Sequence, residues 1–331
     1  MTEDTSPLHV AVTGAAGYIG SRVVHEIQQA HPDWAVTAVD NFYLGDVRRI
    51  GDVEVEHVDV RNRDRLADAL GGVDIVCHLA AISGVDDCSD KSDLAYEVNV
   101  VGTNNVAWHC KKAGAALVFP FSMATLGDPQ EFPVTVDHPR DPLNWYGRTK
   151  HLGERAIEGF AEGAFPAHLF MISNLHGEHE VDGRTVSKGT VTNFFLGRAL
   201  AGETLTVYEP GTQARNYIHV TDVARAYVRS AERLADRLAD DETGVEKYEL
   251  ASDEDPSVME LAELVRRLAR EERDIDVDIE LVENPRAGEE TLVSEFAVDT
   301  SRTTGELGWE QRTTLEASVR EALRELEPDT S

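Results

Sequence analysis

Residues 8–40 read LHVAVTGAAGYIGSRVVHEIQQAHPDWAVTAVD. The run LHVAVTG predicts a short strand, YIGSRVVHEIQQA carries helical spacing, and AVTAVD predicts a second strand. Where the first strand gives way to the helix, Gly14, Gly17 and Gly20 permit a tight turn. Such a turn brings backbone N–H groups at a helix N-terminus close to a pyrophosphate, with Tyr18 and Ile19 in the same first turn. A glycine triplet alone is a weak signal, because glycine recurs at strand–helix turns for steric reasons. Asp40 strengthens it, standing at the tip of the second strand twenty residues beyond Gly20. Its carboxylate is placed to accept hydrogen bonds from both hydroxyls of an adenosine ribose and to repel a 2′-phosphate, so NAD is expected over NADP. An aspartate that merely caps a loop is the plain alternative. Asp59 and Val60, ending the third strand, are placed to meet the adenine ring.

The same alternation continues outward. VEVEHVDV, VDIVCHLAA, ALVFPFS and AHLFMIS read as strands, and RDRLADAL, DLAYEVNVVGTNNVAWHCKKAG and WYGRTKHLGERAIEGFAEG as helices. Alternating strands and helices predict a Rossmann-type, doubly wound parallel sheet of the α/β class. Beyond residue 174 the pieces shorten into a smaller α+β lobe that would bind substrate. The expected division is 1–174 plus roughly 214–252 for the NAD-binding domain, with 175–213 and 253–331 for the substrate lobe.

Composition narrows the function classes. The chain has 331 residues and a formal net charge of −30, with 61 Asp+Glu against 31 Lys+Arg. Phosphate backbones and anionic lipid surfaces attract proteins through Lys and Arg, so neither nucleic acid nor membrane is an expected partner. Six of the basic residues are Lys and 25 are Arg, and the acidic excess is spread over the whole chain. That dispersion points to a salt-rich, halophilic cytoplasm, where screening within roughly 3 Å at molar salt suppresses self-repulsion. The opening MTEDTSPLHVAVTG is acidic and lacks the basic and apolar regions of a secretory leader, which also favours a cytoplasmic protein. Cys77, Cys88 and Cys110 have no metal-ligand spacing, so no metal is expected.

Chemistry is indicated by Tyr146-Gly147-Arg148-Thr149-Lys150 at a predicted helix start, where Tyr and Lys four apart share a face. An ammonium beside a phenol favours the phenolate, making Tyr146 a candidate general base. A surface helix pair is the bland reading. Ser122 raises the functional one, because it ends a parallel strand, where doubly wound folds place their sites.

The motifs TGAAGYIG (13–20), DN (40–41), HLAA (78–81), NVVGT (99–103), FSMATLGD (121–128), YGRTK (146–150), SNLHG (173–177), QARNYIHVTDVA (213–224), PRAGE (285–289) and ELGW (306–309) occur in one order. Together they resemble the extended short-chain dehydrogenase/reductase family, especially its NAD-dependent nucleotide-sugar 4-epimerases such as the UDP-glucose 4-epimerases, over nearly the whole chain. The resemblance implies Gly14, Gly17, Tyr18, Ile19 and Gly20 at the pyrophosphate, Asp40 and Asn41 at the adenosine ribose, and Asp59 and Val60 near adenine. It implies that Leu79, Ala80, Ala81 and Asn99 line the cofactor site, and that Ser122, Tyr146 and Lys150 form the catalytic triad. Lys150 would also contact the nicotinamide ribose. Asn174, Arg215 and Arg286, with Ser122, would hold a nucleotide-diphosphate sugar, most readily a UDP-sugar, since paired guanidiniums suit paired phosphates. A homodimer through helices near 93–112 and 146–162 is implied as well. Three positions depart from the pattern: Met171 for an Arg, Leu126 for a Tyr, and Asn216 for an Asp.

The resemblance also sorts the reactions. Dehydratases of this family carry an acid directly after the serine or threonine, whereas Met123 and Ala124 stand here and neither transfers a proton. The expected activity is therefore 4-epimerisation of a UDP-hexose by transient oxidation at C4. A net NAD-dependent aldose or uronate dehydrogenase is the alternative, and a non-catalytic NAD-binding protein a third.

Overall fold

The computed structural model describes residues 7–325; the first six residues of the acidic opening stretch lie outside the described residues. The chain begins β1 (His9–Thr13), α1 (Tyr18–Ala30), β2 (Ala35–Asp40), β3 (Arg49–Ile50), β4 (Val53–His57), α2 (Arg63–Ala69) and β5 (Ile75–His78). There follow α3 (Val85–Asp90), α4 (Ser92–Tyr96), α5 (Thr103–Ala113), β6 (Ala116–Ser122), α6 (Trp145–Ala161) and β7 (Pro166–Ile172). After β8 (Asn174–His176), β9 (His179–Val181), β10 (Arg184–Val186), α7 (Val191–Leu200), β11 (Leu205–Tyr208) and β12 (Tyr217–His219) come α8 (Val220–Ala239) and β13 (Gly244–Leu250). The last elements are α9 (Val258–Arg273), β14 (Ile279–Val282), α10 (Ser301–Leu307) and α11 (Leu315–Glu325).

Eight strands form the main sheet in the order β13-β7-β6-β5-β1-β2-β4-β3. All neighbours run parallel except the short β3, which lies antiparallel to β4. The strand order reverses between β1 and β5, and a doubly wound sheet opens a crevice at such a switch point. Burial on both faces explains the unbroken apolar runs: every residue of β7 is buried, and so are the first six of β6. Alternate side chains feed two cores. Leu117, Phe119 and Phe121 of β6 pack with Val106 of α5 and Ile157 of α6. Val118, with Val10 and Val12 of β1, packs with Ile27 of α1 and Tyr227 of α8. A third core, built from Phe195, Leu205, Leu261, Val265, Val319 and Leu323, belongs to the second lobe.

Two expectations need correction. The segment 93–114 is not one continuous α-helix. Between α4 and α5, Glu97–Gly102 forms a π-helical turn, in which one extra residue is accommodated per turn. Nor does all of 253–331 lie in the second lobe, because Leu307 and Trp309 are buried in the sheet-face core, with the Trp309 indole donating to the Asp222 carbonyl at 2.8 Å.

Neutral histidines join the lobes. His176 Nδ1 meets Ser318 Oγ at 3.1 Å, His179 Nε2 meets Ser21 Oγ at 3.0 Å, and His219 packs edge-on against His176. Burial pushes His176 down to about 3 and His179 and His219 to about 4. In the unfolded chain each would titrate near its ordinary value of about 6.5. Their contribution to stability is therefore complete above roughly pH 6.5 and is lost as pH falls toward 4, by up to about 1.4 kcal/mol per pH unit for each group. Denaturant midpoints should drop steeply between pH 6.5 and 5; a flat profile there would contradict the buried neutral cluster.

Candidate functional site

A cleft of about 1050 Å³ opens at the C-terminal ends of β1, β2, β5 and β6, with the second lobe as its far wall. Its floor is the turn after β1. Gly14 has φ +70°, and a Cβ there would lie 2.6 Å from the Ala80 backbone nitrogen, while a Cβ on Gly20 would lie 2.1 Å from the Gly14 carbonyl oxygen. The two glycines thus let strand, turn and α1 approach more closely than any side chain allows. Helix α1 starts at Tyr18 with no side-chain cap and no acidic residue in its first turn. Its initial N–H groups are left for an anion from the cleft. Asp40 supports the turn, its Oδ2 accepting from Ala16 N at 3.0 Å and its Oδ1 from Phe42 N at 2.7 Å. Burial raises its carboxyl above the usual range, although those N–H donors pull the other way.

Gly14, Gly17, Tyr18, Ile19, Gly20, Asp40, Asn41, Val60, Leu79, Ala80 and Ala81 all line this cleft. Tyr18 does so while its hydroxyl donates to the His176 and Gly177 carbonyls at 3.0 and 2.5 Å, tying α1 to the second lobe.

Asp59 and Asn99 do not line the cleft. The Asp59 carboxylate is held by Arg61 at 2.8 Å and by Asn41 Nδ2 at 3.1 Å, and these bonds hold it well below the usual range, at about 2. Val58, Val60 and Arg61 face the cleft there instead. Asn99, carried on the π-helical turn, is fully enclosed. Its Oδ1 accepts from Ile82 N at 2.8 Å, and its Nδ2 donates to the Ile82 carbonyl and to Thr149 Oγ1. It fixes the strand-end loop and α6 to each other, a role behind the cleft wall.

Ser122, Tyr146 and Lys150 converge on one stretch of the cleft. Ser122 ends β6, and its Oγ accepts from Ala124 N at 3.2 Å. Asn144 caps α6 by accepting from Gly147 N at 2.9 Å, and its own amide donates to the Glu289 carbonyl. Tyr146 and Lys150 follow in the first turn and a half. Lys150 does not hydrogen-bond the phenol in the described structure: its Nζ donates to the Pro120 carbonyl at 2.9 Å. Burial, with a smaller effect of Cys88, pushes Tyr146 up to about 12, against a lowering contribution from the Ser122 hydroxyl. Burial also brings Lys150 down to about 7. Before any ligand binds, the phenol keeps its proton and the lysine is poised to change charge near neutrality.

Across the cleft stand Asn174, Arg215 and Arg286. Asn174 donates to the Asn216 carbonyl at 3.1 Å. Arg215 donates to the Ala214 and Thr291 carbonyls, with Glu290 at 3.7 Å. Arg286 pairs with Asp86 at 2.5 Å and with the same Glu290 at 3.0 Å. Both guanidiniums therefore already hold carboxylates, Glu290 being shared between them. The Asn216 departure has a local reason: its amide donates to the Ser252 carbonyl at 2.7 Å and accepts from Ser252 N at 3.0 Å. A carboxylate could supply only the second bond. Met171 and Leu126 are buried in the core that packs the sheet against α5 and α6.

Lys188, Ser83, Asp86 and Glu290 escaped the sequence reading. Lys188 and Ser83 sit in loops without periodicity. Asp86 is joined to Arg286 only by the fold, whereas Glu290 stands four residues beyond Arg286 and could have been found from that spacing. Among the described residues, no group of three or more His, Cys, Asp or Glu could hold a metal ion, and no helix is long and apolar enough to cross a membrane.

Residues 10–241 match the family described as "NAD dependent epimerase/dehydratase". The UDP-glucose 4-epimerase of Rhizobium leguminosarum bv. trifolii is 32% identical over 240 residues, covering 68% of this chain and 72% of that protein. UDP-glucuronic acid decarboxylase 6 of Arabidopsis thaliana is 28% identical over 344 residues, 98% of this chain and 89% of that one. Among solved structures, MoeE5 in complex with UDP-glucuronic acid and NAD superposes with a TM-score of 0.75 at 25% identity, over 94% of this chain and 96% of that one.

Proposed function

Because the chain belongs to the NAD dependent epimerase/dehydratase family, we propose that it inverts the C4 hydroxyl of a UDP-sugar, with Ser122, Tyr146 and Lys150 as its catalytic groups. The carrying observation is the convergence of these three side chains in a cleft where the residues after Ser122, Met123 and Ala124, bring no proton donor. Uncapped N–H groups at α1, the turn at Gly14 and Gly20, and the Asp40 carboxylate fit NAD, which when bound supplies a reversible hydride acceptor. Gly14, Gly17, Tyr18, Ile19 and Gly20 would hold its pyrophosphate, Asp40 and Asn41 its adenosine ribose, Val60 its adenine end, and Leu79, Ala80, Ala81 and Lys150 the remainder.

In this reading the chain's own residues divide the work. Ser122 orients the C4 hydroxyl, and Tyr146 removes its proton and later gives one back. Lys150 adds positive charge next to the developing oxyanion, which lowers the cost of ionising a buried phenol. Arg215 and Arg286 grip the diphosphate by exchanging Glu290 and Asp86 for phosphate oxygens, with Asn174 beside them. Anchoring the diphosphate while the sugar is held loosely lets both faces of C4 be presented in turn.

Purified chain in molar KCl should interconvert a pair of C4-epimeric UDP-sugars without accumulating NADH. Sustained growth of absorbance at 340 nm would instead favour a net dehydrogenase. The acidic surface supports a salt-rich cytoplasm as the setting, and equal activity in dilute buffer would exclude it. Val101 and Leu152, apolar and exposed beside α5 and on α6, support a homodimer through these helices; sedimentation as a single chain would exclude that.

A further inference from the structure

Five cationic residues line the cleft: Arg61, Lys150, Lys188, Arg215 and Arg286. The three arginines are each paired with a carboxylate. The two lysines are not: Lys150 donates to a carbonyl and Lys188 to the Ser83 hydroxyl at 2.7 Å. Asp87 favours the Lys188 charge from a distance, and among the described residues no acid forms an ion pair with it. This is notable in a chain with twice as many acidic as basic residues.

Lys188 is also fixed in place. It lies between β10 and α7, and its carbonyl accepts from Thr190 N at 2.7 Å and Asn193 Nδ2 at 3.1 Å. Its ammonium acts on Lys150 and on Cys88, and Cys88 in turn acts on Tyr146. Ser83 follows Ile82, which Asn99 ties to Thr149 beside Lys150, so the lysine is at the reacting end of the cleft, where two like charges repel each other. Burial lowers Lys188 further, and a bound anion would reverse both effects.

We propose that Lys188 and Ser83 seat a carboxylate carried by the sugar, so that the preferred substrate is a nucleoside diphosphate uronic acid. The donor set suits that group. Lys188 spends one N–H on Ser83 and keeps two, and the Ser83 hydroxyl proton stays free, so two donor groups are left for the two oxygens of a planar monoanion. The diphosphate already has Arg215 and Arg286. The inference rests on the nucleotide-sugar reading of the cleft and names the sugar class within it.

The test is calorimetric titration of the NAD-loaded chain with UDP-glucuronate, UDP-glucose and UDP, with NMR of the products. The wild type should bind UDP-glucuronate more tightly than UDP-glucose. Lys188→Met should lower that ratio by roughly 10- to 100-fold, the worth of one charge-assisted hydrogen bond, while Lys188→Arg keeps most of it. An unchanged ratio, or equal weakening of all three ligands as a purely structural tie or a phosphate contact would give, overturns the carboxylate seat. Selective UDP-glucuronate binding that Lys188→Met erases, with carbon dioxide released and no inversion at C4, supports the seat and overturns the epimerisation. Interconversion of UDP-glucose and UDP-galactose with no preference for the uronate does the reverse.

Discussion

Tyr146→Phe is expected to lower kcat by roughly 10²- to 10⁴-fold, the usual range for losing a positioned proton-transfer group, while bound NAD is retained. The substitution removes one oxygen and leaves the ring, so packing beside Ser122 and Cys88 changes little. The hydroxyl supplies the only group of α6's first turn that faces Ser122 and has a proton to exchange with a sugar oxygen; Lys150, one turn on, is bound to the Pro120 carbonyl. The discriminating measurement pairs turnover with UDP-sugar binding. Loss of turnover with binding intact assigns the proton to Tyr146. Turnover within tenfold of wild type would transfer that role to another group, with Lys150, titrating near 7, the first to examine.

The second large effect is expected from Gly20→Ala. The added methyl would sit 2.1 Å from the Gly14 oxygen and 2.9 Å from Ala15 Cα, both backbone atoms that cannot rotate aside. The turn must open, and overpacking of this kind costs roughly 3 kcal/mol, equivalent to roughly 100-fold in affinity if it falls on the turn. Co-purifying NAD should be lost and its Kd raised to that extent. Gly159→Ala, on α6 with open space around the new methyl, is the matched control and should leave NAD binding as it was. Wild-type NAD affinity in Gly20→Ala would remove the turn from the cofactor site.

The sequence made the sheet legible because its strands are buried on both faces and its helices on one, so the period of apolar residues follows the architecture directly. It made Ser122, Tyr146 and Lys150 legible because each sits at a position the chain itself marks, a strand end or a helix start. The partners of these groups were not legible. Lys150 reaching the Pro120 carbonyl instead of the phenol, and Asn99 turning behind the wall, depend on distances between elements that no local spacing encodes. Lys188 illustrates the limit further: a lone lysine in an irregular loop has no pattern, and it gains meaning only when the fold leaves it without an acid. Asp59 shows a partner the sequence does place nearby, Arg61 two residues on, which holds its carboxylate.

The π-helical turn at Glu97–Gly102 has a consequence for how this segment tolerates changes in length. Successive α-helical residues are about 100° apart around the axis. The wide turn absorbs one extra residue, so deleting one there would restore ordinary winding and leave Val106, Ala107 and Cys110 on the face they now bury. An equal deletion inside α5, with no wide turn to absorb it, would rotate everything beyond it by about that angle and swing buried residues away from the sheet. The segment is thus a place where the helix can lose a residue without changing the phase of its buried face.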